Sequence, residues 1–185
     1  SVNGLVDRFG QFSRGTWPWK VATVQDMQRQ RNDEDAYLMT NPGPGETNGS
    51  SQLTGTPTGK WRLTKTVNGK YYFVSPAGKF LWSLGVASVS TGAPTVTQGR
   101  ENMFTDLPGT GDPRIAFYGT VVRNGTTLQT YNHYAANVSE KFGETWQSDW
   151  KDMARKRMRS WGINTLGAGF DMTQLQANPM PFIYP

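Results

Sequence analysis

The sequence predicts an α/β fold in which a β-rich region leads into the first strands of a parallel sheet. Residues 79–90, KFLWSLGVASVS, carry no charge after Lys79, a pattern typical of strands that are covered on both faces. From this strand onward, predicted strands and helices alternate along the chain, as they do in a parallel sheet. We therefore expect residues 1–78 to form a β-rich accessory and lead-in region and residues 79–185 to form β/α units.

The composition describes a loop-rich chain with enough large side chains to fill a core. Its 185 residues are 36% apolar and 12% aromatic, with 21 glycines and 11 prolines, which argues against a helical bundle and against disorder. No apolar run approaches the roughly 18 residues of a membrane span. The first residues show no signal segment, so we expect an export signal to be either removed or never present.

The chain has no cysteine, and His133 is its single histidine. These counts exclude disulfides, thiolate zinc sites, a cysteine nucleophile and sites built from several histidines. We therefore expect no metal and no cofactor.

The net charge of +5 is densest in residues 151–161, KDMARKRMRSW. On a helix that starts near Ser148, the basic side chains point mostly away from an apolar stripe, which comprises Trp150, Met153, Ala154, Met158 and Trp161. A solvated helix face explains the cluster, so neither nucleic acid nor a membrane is expected as a partner. A basic nucleic-acid-binding domain stays open as the least favoured class of function.

Before residue 79 the pattern predicts one helix and one antiparallel meander. Residues 24–37 are polar and compatible with a helix, whereas residues 41–59 are rich in Gly, Pro, Ser and Thr, as loops are. The segments on either side of Asn68-Gly69 form a hairpin with the type I′ turn that this dipeptide favours. Pro76-Ala77-Gly78 then turns the chain into the long apolar strand.

After residue 90 the predicted strands and helices continue, but they are too few to close a barrel. In chain order the elements are a loop with the adjacent charges Arg100 and Glu101, a strand pair around Asn124-Gly125, a helix over 131–143, the amphipathic helix over 148–161, a short strand over 163–166 and an apolar segment at 180–185. Only three barrel-type strands fit this pattern, whereas a (β/α)8 TIM barrel needs eight over roughly 250 residues. The predicted fold is therefore an incomplete TIM barrel, in whose first strand Val86 and Val89 are buried.

Several segments, in the same order, resemble the early part of β-agarases of glycoside hydrolase family 50. They are DRFGQF, WPWKV, GKYYFVSPAGKFLWSLGVASV, GRENMF, YNHYAANVSEKFG and RMRSWGINTLGAG, which together cover nearly the whole chain. The resemblance implies a jelly-roll-like accessory domain followed by a TIM barrel. It also implies a secreted or periplasmic bacterial enzyme that hydrolyses β-1,4 linkages of agarose with retention and from a chain end.

The catalytic pair of this family has no counterpart in the sequence. The resemblance places one glutamate after the fourth barrel strand and the other after the seventh, and retaining hydrolysis needs both in one site. The acidic residues Glu101, Glu140, Glu144 and Asp171 do not replace them, so no catalytic residue is assigned. A second polypeptide carrying the rest of the barrel is expected, whether the chain is a fragment, a cleaved product or a split subunit.

Polar residues near the predicted carboxyl ends of the barrel strands are candidates for one wall of a sugar site. These substrate-binding candidates are Arg100, Glu101, Asn132, His133 and Asn164, with Trp17 and Trp19 as possible aromatic surfaces. Simpler roles stay open, namely a strand-end cap for Asn164, an ion pair for Arg100 and Glu101, and a solvated helix start for His133. Trp82 and Trp161 are assigned to the core, and a non-catalytic carbohydrate-binding β-domain remains the alternative function.

Overall fold

The computed structural model describes residues 1–44, 55–66, 68–170 and 180–181. The chain forms two compact units, each drawn from separate stretches of sequence. Unit 1 consists of residues 1–33 and 91–150, and unit 2 consists of residues 34–90 and 151–185. The predicted boundary after residue 78 stays a prediction.

Helix α1, Val24–Thr40, begins at a reciprocal cap and extends slightly beyond its predicted end. The Thr23 hydroxyl accepts a hydrogen bond from the Asp26 amide (3.1 Å), while the Asp26 carboxylate accepts from the amides of Ala22 (3.0 Å) and Thr23 (2.7 Å). This arrangement satisfies amides that have no partner within the helix. Part of the predicted loop at 41–59 lies outside the described residues.

Unit 2 contains the antiparallel meander that the sequence predicts. Strands β1 (Arg62–Lys65), β2 (Tyr71–Val74) and β3 (Phe80–Leu81) pair in that order. The loop between β1 and β2 is longer than the expected two-residue turn. Its ends are marked by the hydrogen bond that the Thr66 amide donates to the Lys70 carbonyl (2.8 Å). Gly78, at φ +81°, closes the second turn in the left-handed region that glycine tolerates.

The chain then passes from antiparallel to parallel pairing, as predicted. Strand β4 (Gly85–Val86) pairs in parallel with β8 (Thr165–Leu166), with Gly85 opposite Thr165 and Val86 opposite Leu166. Among the described residues this is one parallel pair of strands, so the TIM barrel is not established by the structure. Most of the apolar segment predicted at 180–185 lies outside the described residues, as does Asp171.

Three burial predictions for this region are corrected by the structure. Residues 79–90 do not form one strand covered on both faces, because Leu84 is exposed and Trp82 is 58% exposed. Trp161, assigned to the apolar stripe, is 64% exposed because it lies one residue beyond the end of its helix. Val86 and Val89 are only half-buried against a small core of Met158, Leu166 and Met180. Among the described residues β4 has one strand neighbour, which leaves Trp82 and Leu84 exposed.

Unit 1 contains a three-stranded antiparallel sheet in the order β5-β7-β6. Its strands are β5 (Thr95–Val96), β6 (Tyr118–Arg123) and β7 (Thr126–Tyr131). The predicted hairpin around Asn124-Gly125 is confirmed, since Asn124 at φ +50° and Gly125 at φ +75° form the two-residue turn that needs positive φ at both positions.

Two helices follow the hairpin at their predicted places. Helix α2, His133–Phe142, is capped by Asn132 and ends at Gly143, at φ +84°. Helix α3, Trp146–Ser160, begins two residues before its predicted start and buries four of the five stripe residues, Trp150, Met153, Ala154 and Met158. No helix within the described ranges is both long and apolar enough to cross a membrane.

Candidate functional site

A cavity of about 380 Å³ within unit 1 brings together two of the five predicted site residues, Arg100 and His133. We call it the His133 cavity. Its other lining residues come from the N-terminal segment, from the region of β5 and the turn after it, and from α2; they are Val6, Phe9, Gly10, Ala93, Thr95, Met103, Phe104, Tyr134 and Asn137.

His133 is the first residue of α2 and is only 9% exposed. Its ring stacks on Phe104 with centroids 5.6 Å apart and meets the edge of Tyr131 at 4.5 Å. Gly10 leaves room for this ring, since a β-carbon there would lie 2.9 Å from that of His133. The alternative of a solvated histidine is therefore wrong.

The chemistry of His133 follows from its burial. Desolvation lowers the pKa of the imidazole below its ordinary value of 6.5, outweighing the neighbouring charge of Asp7, which raises that pKa. The Nε2 atom is buried and has no hydrogen-bond partner in the part of the chain that the structure describes. A neutral imidazole has one donor and one acceptor nitrogen, so Nε2 lacks the hydrogen bond that a buried ring nitrogen ordinarily makes.

Arg100 and Glu101 each bind the main chain near β5. The Arg100 guanidinium donates to the Val96 carbonyl at 2.6 Å, and the Glu101 carboxylate accepts from the Gly99 amide at 3.0 Å. Hydrogen bonds from its own backbone amide and from that of Gly99 lower the pKa of Glu101. These separate partners do not favour the alternative of an ion pair between the two side chains. Arg100 lines the cavity, whereas Glu101 begins a short 3-10 helix, Glu101–Met103, beside it.

Asn132 positions His133 by capping α2. Its side-chain oxygen accepts from the Ala135 amide at 3.0 Å, and its side-chain nitrogen donates to the Thr91 carbonyl at 2.8 Å. The residue thereby links the start of the helix to the segment that precedes β5. Both polar groups of the Asn132 side chain therefore bind the main chain, next to the cavity.

Asn164 belongs to unit 2 and is only 2% exposed. Its amide oxygen accepts from the Leu84 amide at 3.0 Å, and its amide nitrogen donates to the Trp82 carbonyl at 3.0 Å. These bonds join the segment before β4 to the segment before β8 and favour the simpler role of a strand-end cap. Whether Asn164 shares a sugar site with Arg100 stays a prediction, as does substrate binding by any of the five residues.

A second cavity in unit 1, of about 440 Å³, was not predicted from the sequence. We call it the Trp17 cavity. Its lining comes from the N-terminal segment and from the loop after the 3-10 helix, and consists of Asp7, Arg8, Phe9, Thr16, Trp17, Lys20, Val21, Ala22, Thr105 and Asp106. Trp19, the other suggested aromatic surface, is exposed and does not line it. In the sequence, this region was marked only by the motifs DRFGQF and WPWKV, which belong to the family resemblance.

A charged network around the buried Arg114 reaches the wall of the Trp17 cavity through Asp106. The Arg114 guanidinium is buried between Asp112, at 2.7 Å, and Asp106, at 3.1 Å. Hydrogen bonding to Asp112 raises the pKa of Arg114 despite the opposing effect of burial. Burial also raises the pKa of Tyr131 to about 12, so the phenol stays protonated.

Among the described residues, no carboxyl group has a raised pKa and no cluster of side chains is placed to hold a metal ion. The carboxyl groups with a shifted pKa, those of Asp26, Glu101, Asp112 and Asp152, all have a lowered pKa, whereas a carboxylic general acid needs a raised pKa. No group of three or more His, Asp or Glu side chains in this part of the chain is placed to hold a metal ion.

Comparison with known proteins shows a consistent likeness to β-agarases, although no family model matches the chain. It is 28% identical to "Beta-agarase B" and 26% identical to "Beta-agarase A", both of Vibrio sp. (strain JT0107), over 89% and 97% of its own length. It spans only 20% and 19% of those relatives.

Solved structures give the same result. The chain superposes on "The crystal structure of an agarase, AgWH50C" with a TM-score of 0.85 and 25% identity, over 98% of this chain and 29% of that one. "Structural analysis of an exo-beta-agarase" follows with a TM-score of 0.84 and 22% identity, over 98% of this chain and 31% of that one. The resemblance that the motifs predicted is confirmed: over nearly its whole length, the chain is similar to part of the family 50 β-agarases.

Proposed function

We propose that this chain is part of a glycoside hydrolase that cleaves β-1,4-galactosidic linkages of agarose or a related galactan. The observation that carries the proposal is the likeness to two curated β-agarases along 89% and 97% of the chain. By the same resemblance, hydrolysis proceeds with retention and from a chain end, and the enzyme is secreted or periplasmic in a bacterium.

The parallel pairing in unit 2 supports a barrel as the catalytic framework. Strands β4 and β8 are separated in sequence by helices α2 and α3, as neighbouring strands of a β/α barrel are separated by helices. The Leu166 amide of β8 donates to the Pro181 carbonyl at 2.8 Å, which is where the sequence predicts the next strand to begin. In this proposal residues 79–185 supply the first strands, and residues 1–78 are the accessory and lead-in region.

The catalytic glutamates are proposed to lie outside this chain. A retaining mechanism needs two carboxyl groups about 5 Å apart, one of them with a raised pKa. The shifted carboxyl groups described above have the opposite shift. The remaining strands and both glutamates then come from the rest of the enzyme, on the same or a second polypeptide.

The chain's own contribution is proposed to be substrate binding at the His133 cavity. The orphaned Nε2 of His133 offers a hydrogen bond to a sugar hydroxyl, and Arg100 supplies a planar donor at the cavity wall. Asn132 orients His133 through the helix cap, and Glu101 fixes the turn next to Arg100. Asn164 is proposed to bind substrate in the assembled enzyme.

The test uses the full-length polypeptide that contains this chain. We expect it to release reducing sugar from agarose, with short products from chain ends. His133→Phe keeps the ring contacts with Phe104 and Tyr131 but removes the polar nitrogen, and it should raise KM several-fold with a smaller change in kcat. Arg123→Ala, at the exposed end of β6, is the control and should behave as wild type.

Two outcomes contradict the proposal. Release of no sugar from agarose, porphyran or carrageenan, together with tight binding of one of them, favours the alternative of a non-catalytic carbohydrate-binding domain. Equal KM values for His133→Phe and Arg123→Ala would show that the His133 cavity does not bind substrate. The hydrolase assignment would be unaffected by that result.

A further inference from the structure

The antiparallel meander of unit 2 carries positive charge that no neighbouring carboxylate in the sequence offsets. Residues 47–100 contain neither Asp nor Glu, and within the meander, residues 60–81, five side chains are basic, namely Lys60, Arg62, Lys65, Lys70 and Lys79. All four lysines are exposed. None of them forms an ion pair with a residue that the structure describes. The meander therefore attracts negatively charged groups.

Apolar side chains lie on one surface with part of this charge. The register of β1 and β2 places Leu63 opposite Phe73 and Lys65 opposite Tyr71, and side chains two residues apart on a strand point to the same side. These four residues form one surface, which we call the meander face. Its three apolar members are between 47% and 58% exposed, whereas Val74, on the other side of the sheet, is buried.

Lys65 and Tyr71 form a cationic and aromatic pair on this face. The Lys65 ammonium lies 5.5 Å from the centroid of the Tyr71 ring, close enough for the ring to attract the charge. Lys20, the cation beside Trp17, donates to three main-chain carbonyls, whereas Lys65 has no hydrogen bond from its ammonium to a described residue. Its three N–H donors are therefore available to an anionic ligand.

The strength of such contacts indicates what kind of ligand fits. A single exposed ion pair contributes little, so the ligand must carry charges that repeat along its length. It must also offer apolar faces to the exposed rings. Sulfated polysaccharides and nucleic acids have both features. Phosphate recognition favours arginine, but four of the five basic residues here are lysines, and the Arg62 guanidinium already donates to the Thr58 hydroxyl at 3.1 Å.

We propose that the meander face binds a sulfated polysaccharide chain. Sulfate oxygens accept hydrogen bonds from Lys65 and Lys70, and the C–H faces of the sugar rings pack on Tyr71 and Phe73. This site is built from other residues than the His133 cavity, so it holds the enzyme on a polyanionic glycan without requiring that this glycan be cleaved. The choice of a polysaccharide over a nucleic acid rests on the proposed function.

The test measures Kd of the full-length polypeptide for dextran sulfate, unsulfated dextran and single-stranded poly(dT). Dextran is an α-linked glucan, which a hydrolase of β-galactosidic linkages leaves intact. We expect dextran sulfate to bind about tenfold more tightly than dextran, because the charges are attracted to the lysines. Between about 50 and 200 mM salt, Kd for dextran sulfate should rise about tenfold or more as counterions compete.

Two pairs of variants locate the binding to the meander face. Lys65→Gln combined with Lys70→Gln should raise Kd for dextran sulfate about tenfold, whereas Arg14→Gln combined with Arg123→Gln removes the same charge from exposed positions of unit 1 and should change Kd less than about twofold. Tyr71→Ala should raise Kd about fivefold. Its control is Tyr37→Ala, since Tyr37 on α1 is 57% exposed and Tyr71 is 56% exposed.

Three results overturn the inference. They are equal affinity for dextran sulfate and dextran, tighter binding of poly(dT) than of dextran sulfate at the same salt concentration, and equal Kd for each variant and its control, as expected if another part of the enzyme covers the face. Sugar release from agarose by wild type tests the proposed function separately. If agarose is hydrolysed and any of the three results is found, this inference fails alone. If no galactan is hydrolysed, the proposed function fails, and the Kd values still decide whether the meander face binds a sulfated polysaccharide.

Discussion

At the scale of single residues, His133 makes the stability of the chain depend on pH in a defined window. Its folded-state pKa is lowered by burial from the ordinary value of 6.5, so below about pH 6.5 the unfolded chain binds a proton that the folded chain resists. The free energy of unfolding therefore falls as the pH drops through this window. Below the folded-state pKa, His133 causes no further decrease in the free energy of unfolding.

The measurement is the thermal midpoint of the full-length polypeptide, as wild type and as His133→Gln, between neutral and mildly acidic pH. The variant lacks the buried imidazole, so its midpoint should fall less steeply than that of wild type just below pH 6.5. Asp26, Glu101 and Asp112, whose pKa values are lowered, lose their contribution only at more acidic pH. An unchanged slope in the variant contradicts the burial argument.

Asn164 is predicted to stabilise unit 2 through its buried amide. Asn164→Ala leaves the Leu84 amide and the Trp82 carbonyl without their partner, which should reduce the free energy of unfolding by about 2–3 kcal/mol. Lys60→Ala, on the exposed segment before β1, is the control and should cost less than about 0.5 kcal/mol. Denaturant unfolding of both variants of the full-length polypeptide checks this. A stable Asn164→Ala enzyme with a raised KM would instead place Asn164 in the sugar site.

The sequence identified several of these residues without revealing what they contact. It singled out His133 as a polar residue at the start of a helix near the predicted strand ends, but not its stacking on Phe104, which lies 29 positions earlier in the chain. It suggested Trp17, but the pinning of Lys20 by main-chain carbonyls has no sequence signature, since any residue supplies a carbonyl. Contacts with the main chain are decided by the path of the backbone, which local patterns do not encode.

At the scale of elements, the start of α2 is predicted to depend on Asn132. Asn132→Ala removes the bond from the Ala135 amide and the bond to the Thr91 carbonyl, and should cost about 1–2 kcal/mol of stability. Asn132→Ser restores the cap alone and should recover about half of that loss. Equal stability of the two variants would show that the cap contributes little, and that Asn132 acts through its bond to Thr91.

Helix ends and hairpin turns were predicted well because their signals are local. Asn132 and Gly143 bound α2, and Asn124-Gly125 makes a two-residue turn, each through its own backbone and side chain. Burial was predicted less well. The apolar character of Trp82 and Trp161 led to their assignment to the core, whereas both side chains are exposed in the described part of this chain.

At the scale of the whole molecule, residues 1–185 alone are predicted neither to hydrolyse a galactan nor to be stable as a monomer. Trp82, Leu84 and Trp161 of unit 2 are exposed, and β4 has a strand neighbour on one side only among the described residues. Burial of one large apolar side chain is worth about 1.5–3 kcal/mol. Leaving three exposed therefore forgoes a large part of a domain's net stability of roughly 5–15 kcal/mol.

The check is to express residues 1–185 and to measure association state, cooperativity of unfolding and sugar release from agarose. We expect association or non-cooperative unfolding, and no sugar release. A monodisperse monomer that unfolds cooperatively contradicts the stability prediction. Hydrolysis that is lost in Glu101→Gln contradicts the assignment of both catalytic glutamates to another part of the enzyme.

The alternation of the two units along the chain sets the order in which they can fold during synthesis. All of unit 1 has been synthesised by residue 150, whereas β4 must wait for β8, whose first residue lies 80 positions after Gly85. At about 5–20 residues per second, that wait lasts roughly 4–16 seconds. Throughout it the apolar residues around β4 lack their partner strand, and unit 1 is completed before that strand is synthesised. A ribosome-associated chaperone that binds short apolar segments thus has its longest opportunity at residues 80–89.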